Sequence, residues 1–348
     1  MSGRARGLGA TAARGALAAA SVGYRAAVRL RNWTYDAGWR AIERAAVPVV
    51  SVGNLTAGGT GKTPCVEYLA RFFRDCEMRV AILSRGYGTE SGPNDEALVL
   101  EENLPDVPHL QGQDRSALAR TAVEELESEL LILDDGFQHR RLARDFDLVL
   151  VDATNPWGYG WLLPRGLLRE PIDALRRAHG AVITRSNQAP DMEVERVVER
   201  IRRHNPAAPI ARAVHQPAAW RRHGQPDSPI ADLAGRTVSA FCGLGNPAAF
   251  RATLDGIGCR VADFRTFPDH HAYSRADVAD LSRWAERQPS DAAIVTTQKD
   301  LVKLRTAVLG GRDLFALRIA LEILPGSEAD RLHRALRQLT TNLGHRAP

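Results

Sequence analysis

The stretch Gly53-Asn54-Leu55-Thr56-Ala57-Gly58-Gly59-Thr60-Gly61-Lys62-Thr63-Pro64 constrains the fold of this chain more than any other. It follows an apolar run, Val47-Pro48-Val49-Val50-Ser51-Val52, and leads into an apolar helical pattern over residues 65–73. A strand, a glycine-rich turn, Gly-Lys-Thr and a helix, in that order, make a phosphate-binding loop. Glycines let the backbone curl so that its N–H groups face a polyphosphate, and the helix N-terminus adds partial positive charge. The expected contacts are Thr56, Ala57, Gly58, Gly59, Thr60, Gly61, Lys62 and Thr63. Lys62 is expected to reach the terminal phosphates, and the Thr63 hydroxyl to ligate Mg²⁺. Pro64 suits a first helical turn, where its missing N–H is no loss. Thr56 stands where the usual pattern has glycine, so the Gly58-Gly59 pair is expected to supply the turn. The loop implies a nucleoside triphosphate and leaves the phosphate acceptor open.

A second motif fits the same chemistry. The apolar run Leu130-Leu131-Ile132-Leu133 ends in Asp134-Asp135. An acid pair at a strand end is ordinary on a protein surface. Downstream of a phosphate loop, however, it is where an acid holds the hydration shell of Mg²⁺. Asp134, Asp135 and Thr63 are therefore the expected metal side. The continuation Gly136-Phe137-Gln138-His139-Arg140-Arg141 is unusually polar for a turn and suits ligand contact.

A hydroxyl attacking phosphorus must lose a proton, and a positioned carboxylate or imidazole contributes about 10²–10⁴-fold. Asp95, in a polar loop with Pro93, Asn94 and Glu96, and His270, in a loop over residues 267–273, are the best candidates for that base. Residue pattern alone does not bring them together. Residues 155–171 combine three aromatics, glycines and charges, and read equally as a sugar- or acyl-facing surface and as a packed loop. Thr297-Gln298-Lys299-Asp300 has the residue types of a guanine-reading motif at the wrong spacing, and Gly243-Leu244-Gly245 is a lone G-x-G.

The 348 residues allow two domains of ordinary size, and 44% apolar residues suffice for buried cores. Cys65, Cys76, Cys242 and Cys259 form no C-x-x-C pair, so neither a zinc site nor a disulfide framework is indicated, which fits a reducing compartment. The net charge of +5 is concentrated at one end. Residues 1–44 hold eight arginines against Asp36 and Glu43, a net of +6, so the remainder carries −1. Ten uncharged residues separate Arg14 from Arg25, too few for the roughly 20 that span a bilayer. A basic, Trp-bearing helix lying on an anionic membrane and a solvated basic helix packed on its domain both fit this arm.

Buried-strand patterns recur at residues 79–84, 130–133, 147–152 and 180–184, spaced by helical stretches, which predicts a parallel sheet covered on both faces. Proline- and glycine-rich punctuation then fills residues 205–235. A second α/β run follows, with strands near 237–242, 260–264, 293–296 and 314–319 and a last amphipathic helix at 327–341. The expected organisation is a basic arm over 1–44, a phosphate-loop domain over 45–208 and a linker over 209–235. A smaller α/β domain over 236–348 completes it, with a return strand near 314–319.

Taken in order, these motifs resemble the tetraacyldisaccharide 4′-kinases, the lipid A 4′-kinases of Gram-negative bacteria. The matching blocks are the loop from Ser51 to Pro64, Ser84-Arg85-Gly86-Tyr87, Asp95-Glu96, Leu133-Asp134-Asp135-Gly136-Phe137-Gln138-His139-Arg140, Leu163-Pro164, Leu168-Arg169-Glu170-Pro171, Gly243-Leu244-Gly245-Asn246-Pro247, Phe267-Pro268-Asp269-His270 and Lys299-Asp300. The resemblance implies a P-loop α/β/α domain joined by a short β linker to a second α/β domain, with the active site in the cleft. It implies ATP- and Mg²⁺-dependent phosphorylation of the 4′-hydroxyl of a tetraacylated glucosamine disaccharide 1-phosphate, giving lipid IVA. It implies peripheral attachment to the anionic cytoplasmic face of the inner membrane, with no nucleic-acid or protein partner. Position by position, it implies that Asp95 and His270 act as a catalytic pair with Lys62 and Asp135. It places Arg85, Tyr87, Arg115, Gln138 and Glu170 on the substrate side. The alternatives are a P-loop GTPase or ATPase switch and a nucleotide-sensing membrane adaptor. Neither of these needs the Asp95 and His270 loops.

Overall fold

The computed structural model describes residues 7–86 and 95–341. The chain forms two compact units. The first comprises Met1–Arg85, Asp106–His215 and Leu321–Pro348; the second comprises Gly86–Pro105 and Gln216–Ala320. The first unit begins with α1 (Leu8–Asp36), β1 (Val49–Asn54), α2 (Lys62–Asp75) and β2 (Val80–Ser84). The chain enters the second unit for α3 (Asp95–Asn103) and returns for β3 (His109–Gln111), α4 (Arg115–Glu124), β4 (Leu130–Asp134), β5 (Phe146–Asp152), β6 (Gly180–Thr184) and α5 (Asp191–His204). It leaves the first unit along β7 (Ile210–Arg221). The second unit continues with β8 (Thr237–Cys242), α6 (Pro247–Ile257), β9 (Arg260–Thr266), α7 (Arg275–Glu286), β10 (Ala293–Thr297), α8 (Gln298–Leu304) and β11 (Val308–Leu309). The chain returns along β12 (Arg312–Ile323) and ends the described region with α9 (Ser327–Thr341).

The sheet of the first unit is parallel, in the order β3-β2-β4-β1-β5-β6-β7. Every residue of β1, β2, β4, β5 and β6 is buried, the signature of strands covered on both faces. On one face Val49, Ala81, Leu83, Leu131 and Leu133 pack with Ala119 and Ala122 of α4. On the other, Val149, Val151, Ala181 and Ile183 pack with Val194, Val197 and Ile201 of α5. The α5 contacts fall at helical spacing, and Asp191 and Glu193 at its start and Arg202, Arg203 and His204 at its end complement its dipole. The second unit has its own parallel sheet, β12-β10-β8-β9, with β11 antiparallel to β12. The expected α/β class and P-loop layering are what the structure shows.

Four local features differ from the sequence reading. Asp95 opens helix α3 rather than lying in a loop. Its first turn is acidic, which favours a helix N-terminus, but the turn residues before it mask the short apolar pattern. Residues 210–221, read as part of a linker, form the long strand β7, in which Trp220 is wholly buried; Pro209 and Pro217 hide its alternation. Helix α9, expected with the second domain, groups with the first unit. There Leu332 and Leu336 are buried, each contributing about 1.5–3 kcal/mol, and the Tyr68 hydroxyl lies 2.7 Å from His333 Nε2. Conversely, residues 86–105 belong with the second unit. Their helix α3 is tied to α8 by Gln298–Asn103 at 2.7 Å and Lys299–Glu96 at 2.9 Å.

Candidate active site

The phosphate loop leaves the centre of the first sheet, because β1 lies between β4 and β5. The carboxyl ends of such central strands are where α/β sheets bind ligands. Gly58 and Gly61 adopt positive φ of 120° and 86°, so the turn draws on both ends of the Gly58–Gly61 segment rather than on the Gly58-Gly59 pair. At Gly61 the requirement is also steric, since an added Cβ would lie 2.5 Å from His215 Nε2. The loop is pinned at three points. The Thr56 carbonyl accepts from the buried Asn54 amide, Ala57 N–H donates to the Leu167 carbonyl at 2.6 Å, and Thr184 Oγ1 donates to the Thr60 carbonyl at 3.0 Å. Lys62 opens α2, and its Nζ lies 3.3 Å from Asn54 Oδ1 and 3.5 Å from Asp135 Oδ1. Thr63 is buried in the same first turn.

The two acids are placed differently. Asp134 is the last residue of β4, in register with Val52 of β1 just before the loop. Burial first, and then the Asp134 charge, raise the Cys65 thiol, which puts that carboxylate beside the first turn of α2. Asp135 turns out of the strand with φ 51°, a left-handed conformation uncommon for a non-glycine residue. Its two oxygens accept from Arg169 Nη1 at 2.9 and 2.8 Å. Burial alone would raise its carboxyl, but the Lys62 ammonium and the Arg169 guanidinium outweigh it and hold the group below the ordinary carboxylate value.

The other expected positions scatter around this loop. Gln138 donates to the Asn54 carbonyl at 3.0 Å, and its own carbonyl accepts from Arg31 of α1 at 2.8 Å. Arg115 is buried at the start of α4. Burial, followed by the charges of Arg115, Arg144, Arg31 and Arg141, depresses the neighbouring His139 to about 4. Glu170 is 1% exposed and accepts from Asn32 of α1 at 3.0 Å and Arg177 at 2.9 Å, so it ties α1 to the loop before β6. A cavity of about 220 Å³ opens beside it, lined by Arg29, Asn32, Trp33 and Arg177 among others. Arg85 is exposed at the end of the described segment, and Tyr87 lies outside the described residues.

The second unit carries the other candidates. The Asp95 carboxylate, 8% exposed, lies 2.9 Å from His270 Nδ1 through Oδ2 and 3.2 Å through Oδ1. His270 is held at φ 55°, and its side chain is 57% exposed. The structure thus joins the two residues that sequence pattern left apart. Next to them Lys299 pairs with Glu96 at 2.9 Å; burial would lower its ammonium, but the Glu96 and Asp95 charges raise it. Thr297 caps α8 by accepting from Asp300 N–H, so the Thr-Gln-Lys-Asp run is a helix start.

The residue pattern assigns no role to Asn54 or Arg169 and does not mark His215 or Lys303. Arg169, one residue before Glu170, carries no pattern that marks it as the partner of Asp135. His215 sits on a strand that read as linker.

The model of the tetraacyldisaccharide-1-P 4′-kinase family, LpxK, matches residues 13–340. A tetraacyldisaccharide 4′-kinase of Syntrophus aciditrophicus is 41% identical over 315 residues, covering 82% of each chain. One of Anaeromyxobacter dehalogenans (strain 2CP-C) is 41% identical over 335 residues, covering 90% of this chain and 87% of the relative. Among solved structures, the "apo" form LpxK from Aquifex aeolicus in complex with ATP is similar with a TM-score of 0.75 and 32% identity, covering 94% of this chain and 99% of that one. A match that runs through both units, with the phosphate loop and the Asp95–His270 pair in place, makes this chain a member of the tetraacyldisaccharide 4′-kinase family.

Proposed function

We propose that the chain transfers the γ-phosphoryl group of ATP to the 4′-hydroxyl of a tetraacylated glucosamine disaccharide 1-phosphate. The hydroxyl oxygen bonds to the γ-phosphorus as the bond from phosphorus to the β–γ bridging oxygen breaks, and ADP leaves. The hydroxyl proton passes to the Asp95–His270 pair. Phosphoryl transfer asks a protein for alignment and charge neutralisation more than for covalent chemistry. Loop N–H groups and Lys62 supply the neutralisation, and the Asp95–His270 pair supplies the proton acceptor. The observation that carries the reading is His270 Nδ1 at 2.9 Å from the buried Asp95 carboxylate, because a nucleotide switch or adaptor needs no such pair. The solved relative bound to ATP supports the choice of nucleotide.

Mg²⁺ takes hard oxygen ligands, and the residues fit it. The Thr63 hydroxyl and the Asp134 carboxylate stand at adjoining element ends. Asp135 is paired with Arg169 and Lys62, so it would orient the lysine while Thr63 and Asp134 would hold the ion. When bound, the metal adds positive charge at the phosphate oxygens.

The acceptor lipid is presented at the anionic cytoplasmic face of the inner membrane, and α1 is the proposed contact. No helix among the described residues is long and apolar enough to cross a membrane. Yet Val22, Leu30, Trp33 and Trp39 are exposed on or just after α1, at 66, 61, 47 and 72%. Exposed apolar and Trp side chains among arginines suit a helix lying in the interface.

Asp95 is assigned as base and His270 as the group that orients it. The exposures, 8% for Asp95 and 57% for His270, favour a second order in which the imidazole meets the hydroxyl and Asp95 orients it. Steady-state kinetics of Asp95→Asn, His270→Ala and the double variant test both. The pair reading expects kcat to fall by about 10²-fold or more for the base, less for its partner, and far less than additively for both. The member whose loss costs more is the base. Near-normal kcat in both single variants would overturn the assignment.

A further inference from the structure

The Asp95–His270 pair is backed by a third charged side chain. Lys303, near the end of α8, is 10% exposed, and its Nζ lies 3.9 Å from Asp95 Oδ2 and 3.4 Å from Asp300 Oδ1. The ammonium has no aligned hydrogen-bond partner among the described residues and sits 5.5 Å from the centre of the Tyr273 ring. Its position is fixed from behind. Asp300 is wholly buried and accepts from Gly243 N–H at 3.1 Å, Thr297 Oγ1 at 2.7 Å and the Tyr273 hydroxyl at 3.0 Å. Asp300 thus has neutral donors enough to stay seated, and the charge of Lys303 is shared with the carboxylate in front of it. A buried ammonium is costly unless paired, and both of its counter-charges lie here.

We propose that Lys303 is a positioning residue for this reaction: anchored by Asp300, its ammonium fixes the Asp95 carboxylate against His270. The inference rests on the reading of Asp95 and His270 as the proton-accepting pair, and it holds whichever member is the base. A fixed cation at this distance limits the rotation of the carboxylate, so Nδ1 of His270 meets the same oxygen at each turnover.

The test uses the full chain with ATP, Mg²⁺ and the disaccharide 1-phosphate in detergent micelles. It compares wild type, Lys303→Met, Asp95→Asn and the Asp95→Asn/Lys303→Met double variant. Lys303→Met is expected to lower kcat about tenfold, part of what a base supplies, with the ATP KM unchanged within about twofold. In the Asp95→Asn background the same change is expected to cost less than about twofold, because its target is gone. A purely structural lysine would cost the same factor in both backgrounds. That result, or unchanged kcat in Lys303→Met, overturns the proposal. Should the methionine variant fail to fold, Lys303→Gln, which keeps a polar end without the charge, is read by the same criteria. If Asp95→Asn itself keeps normal kcat, the pair reading fails and the role of Lys303 with it. If Asp95→Asn loses kcat and Lys303→Met does not, only the role of Lys303 fails.

Discussion

Gly53→Ala is a single methyl addition with a calculable consequence. Gly53 lies in β1, one residue before Asn54, whose side chain meets Lys62. A Cβ at Gly53 would stand 2.5 Å from Phe137 Cβ, 2.7 Å from Phe137 N and 3.2 Å from Phe137 Cα. Ordinary contact is about 3.5–4.0 Å, so one side must move by about 1 Å. Phe137 cannot escape by rotating, because the atoms struck are its backbone and Cβ. The ring is wholly buried, with Arg177 4.6 Å above it. The turn that must yield therefore carries Asp135 on one side and Gln138 on the other. The 3.0 Å bond from Gln138 to the Asn54 carbonyl does not survive such a shift. Overpacking of this kind costs about 1–3 kcal/mol of stability, and a misplacement of about 1 Å costs about 10²-fold in rate. Gly59→Ala is the control for stability, since nothing lies within 4 Å of its added Cβ. Urea titration followed by tryptophan fluorescence should show a lower midpoint for Gly53→Ala than for Gly59→Ala, and steady-state assay should show the loss of kcat. Equal midpoints with full kcat in Gly53→Ala would refute the steric reasoning.

Lys62→Ala should abolish phosphoryl transfer while leaving the urea midpoint near that of wild type; substantial turnover by the folded variant would contradict the loop assignment. Three histidines of the first unit make it acid-sensitive. Burial lowers His109 to about 4, burial and Arg185 lower His215 to about 4, and burial with four arginines lowers His139 to about 4. Each binds its proton more readily when unfolded, near pH 6.5, so stability is present at pH 7 and is lost as pH falls from about 6.5 towards 4. Allowing for their partial exposure, the loss from pH 7 to pH 5 is about 1 kcal/mol per histidine. A urea midpoint that holds steady over that range would contradict it. Replacing both Trp33 and Trp39 by Ser should weaken binding to anionic vesicles at high salt, where the attraction of about 1 kcal/mol per surface arginine is screened. Nucleotide binding should persist. Undiminished co-sedimentation would move the membrane contact elsewhere.

The phosphate loop and the central strands were legible because their signals are local. A glycine turn between a largely apolar run and a helix has few structural solutions, and β1, β4, β5 and β6 are mostly apolar and buried along their whole length. Strand β7 was not legible, since Pro209 and Pro217 and four arginines from 202 to 221 obscure its alternation. The site divides in the same way. Lys62 and Thr63 are placed by the loop itself, whereas Arg169 reaches Asp135 across 34 residues and His270 reaches Asp95 across 175. Such pairings depend on tertiary placement, and no periodicity encodes them. The resemblance to a family joined Asp95 to His270; the residue pattern did not. It gave no hint of Lys303, whose partners become visible only when α8 is packed against α3.

The central claim is that this chain moves a phosphoryl group onto a lipid-linked sugar, and one measurement bears on it directly. The purified chain is incubated with ATP, Mg²⁺ and tetraacyldisaccharide 1-phosphate in micelles. The lipid is followed by mass spectrometry and the new phosphate located by ³¹P NMR. The account predicts a lipid heavier by one phosphate, esterified at the 4′ position, formed in step with ADP and lost in Lys62→Ala and Asp95→Asn. ADP release from the wild-type chain with the lipid unchanged in mass would contradict it.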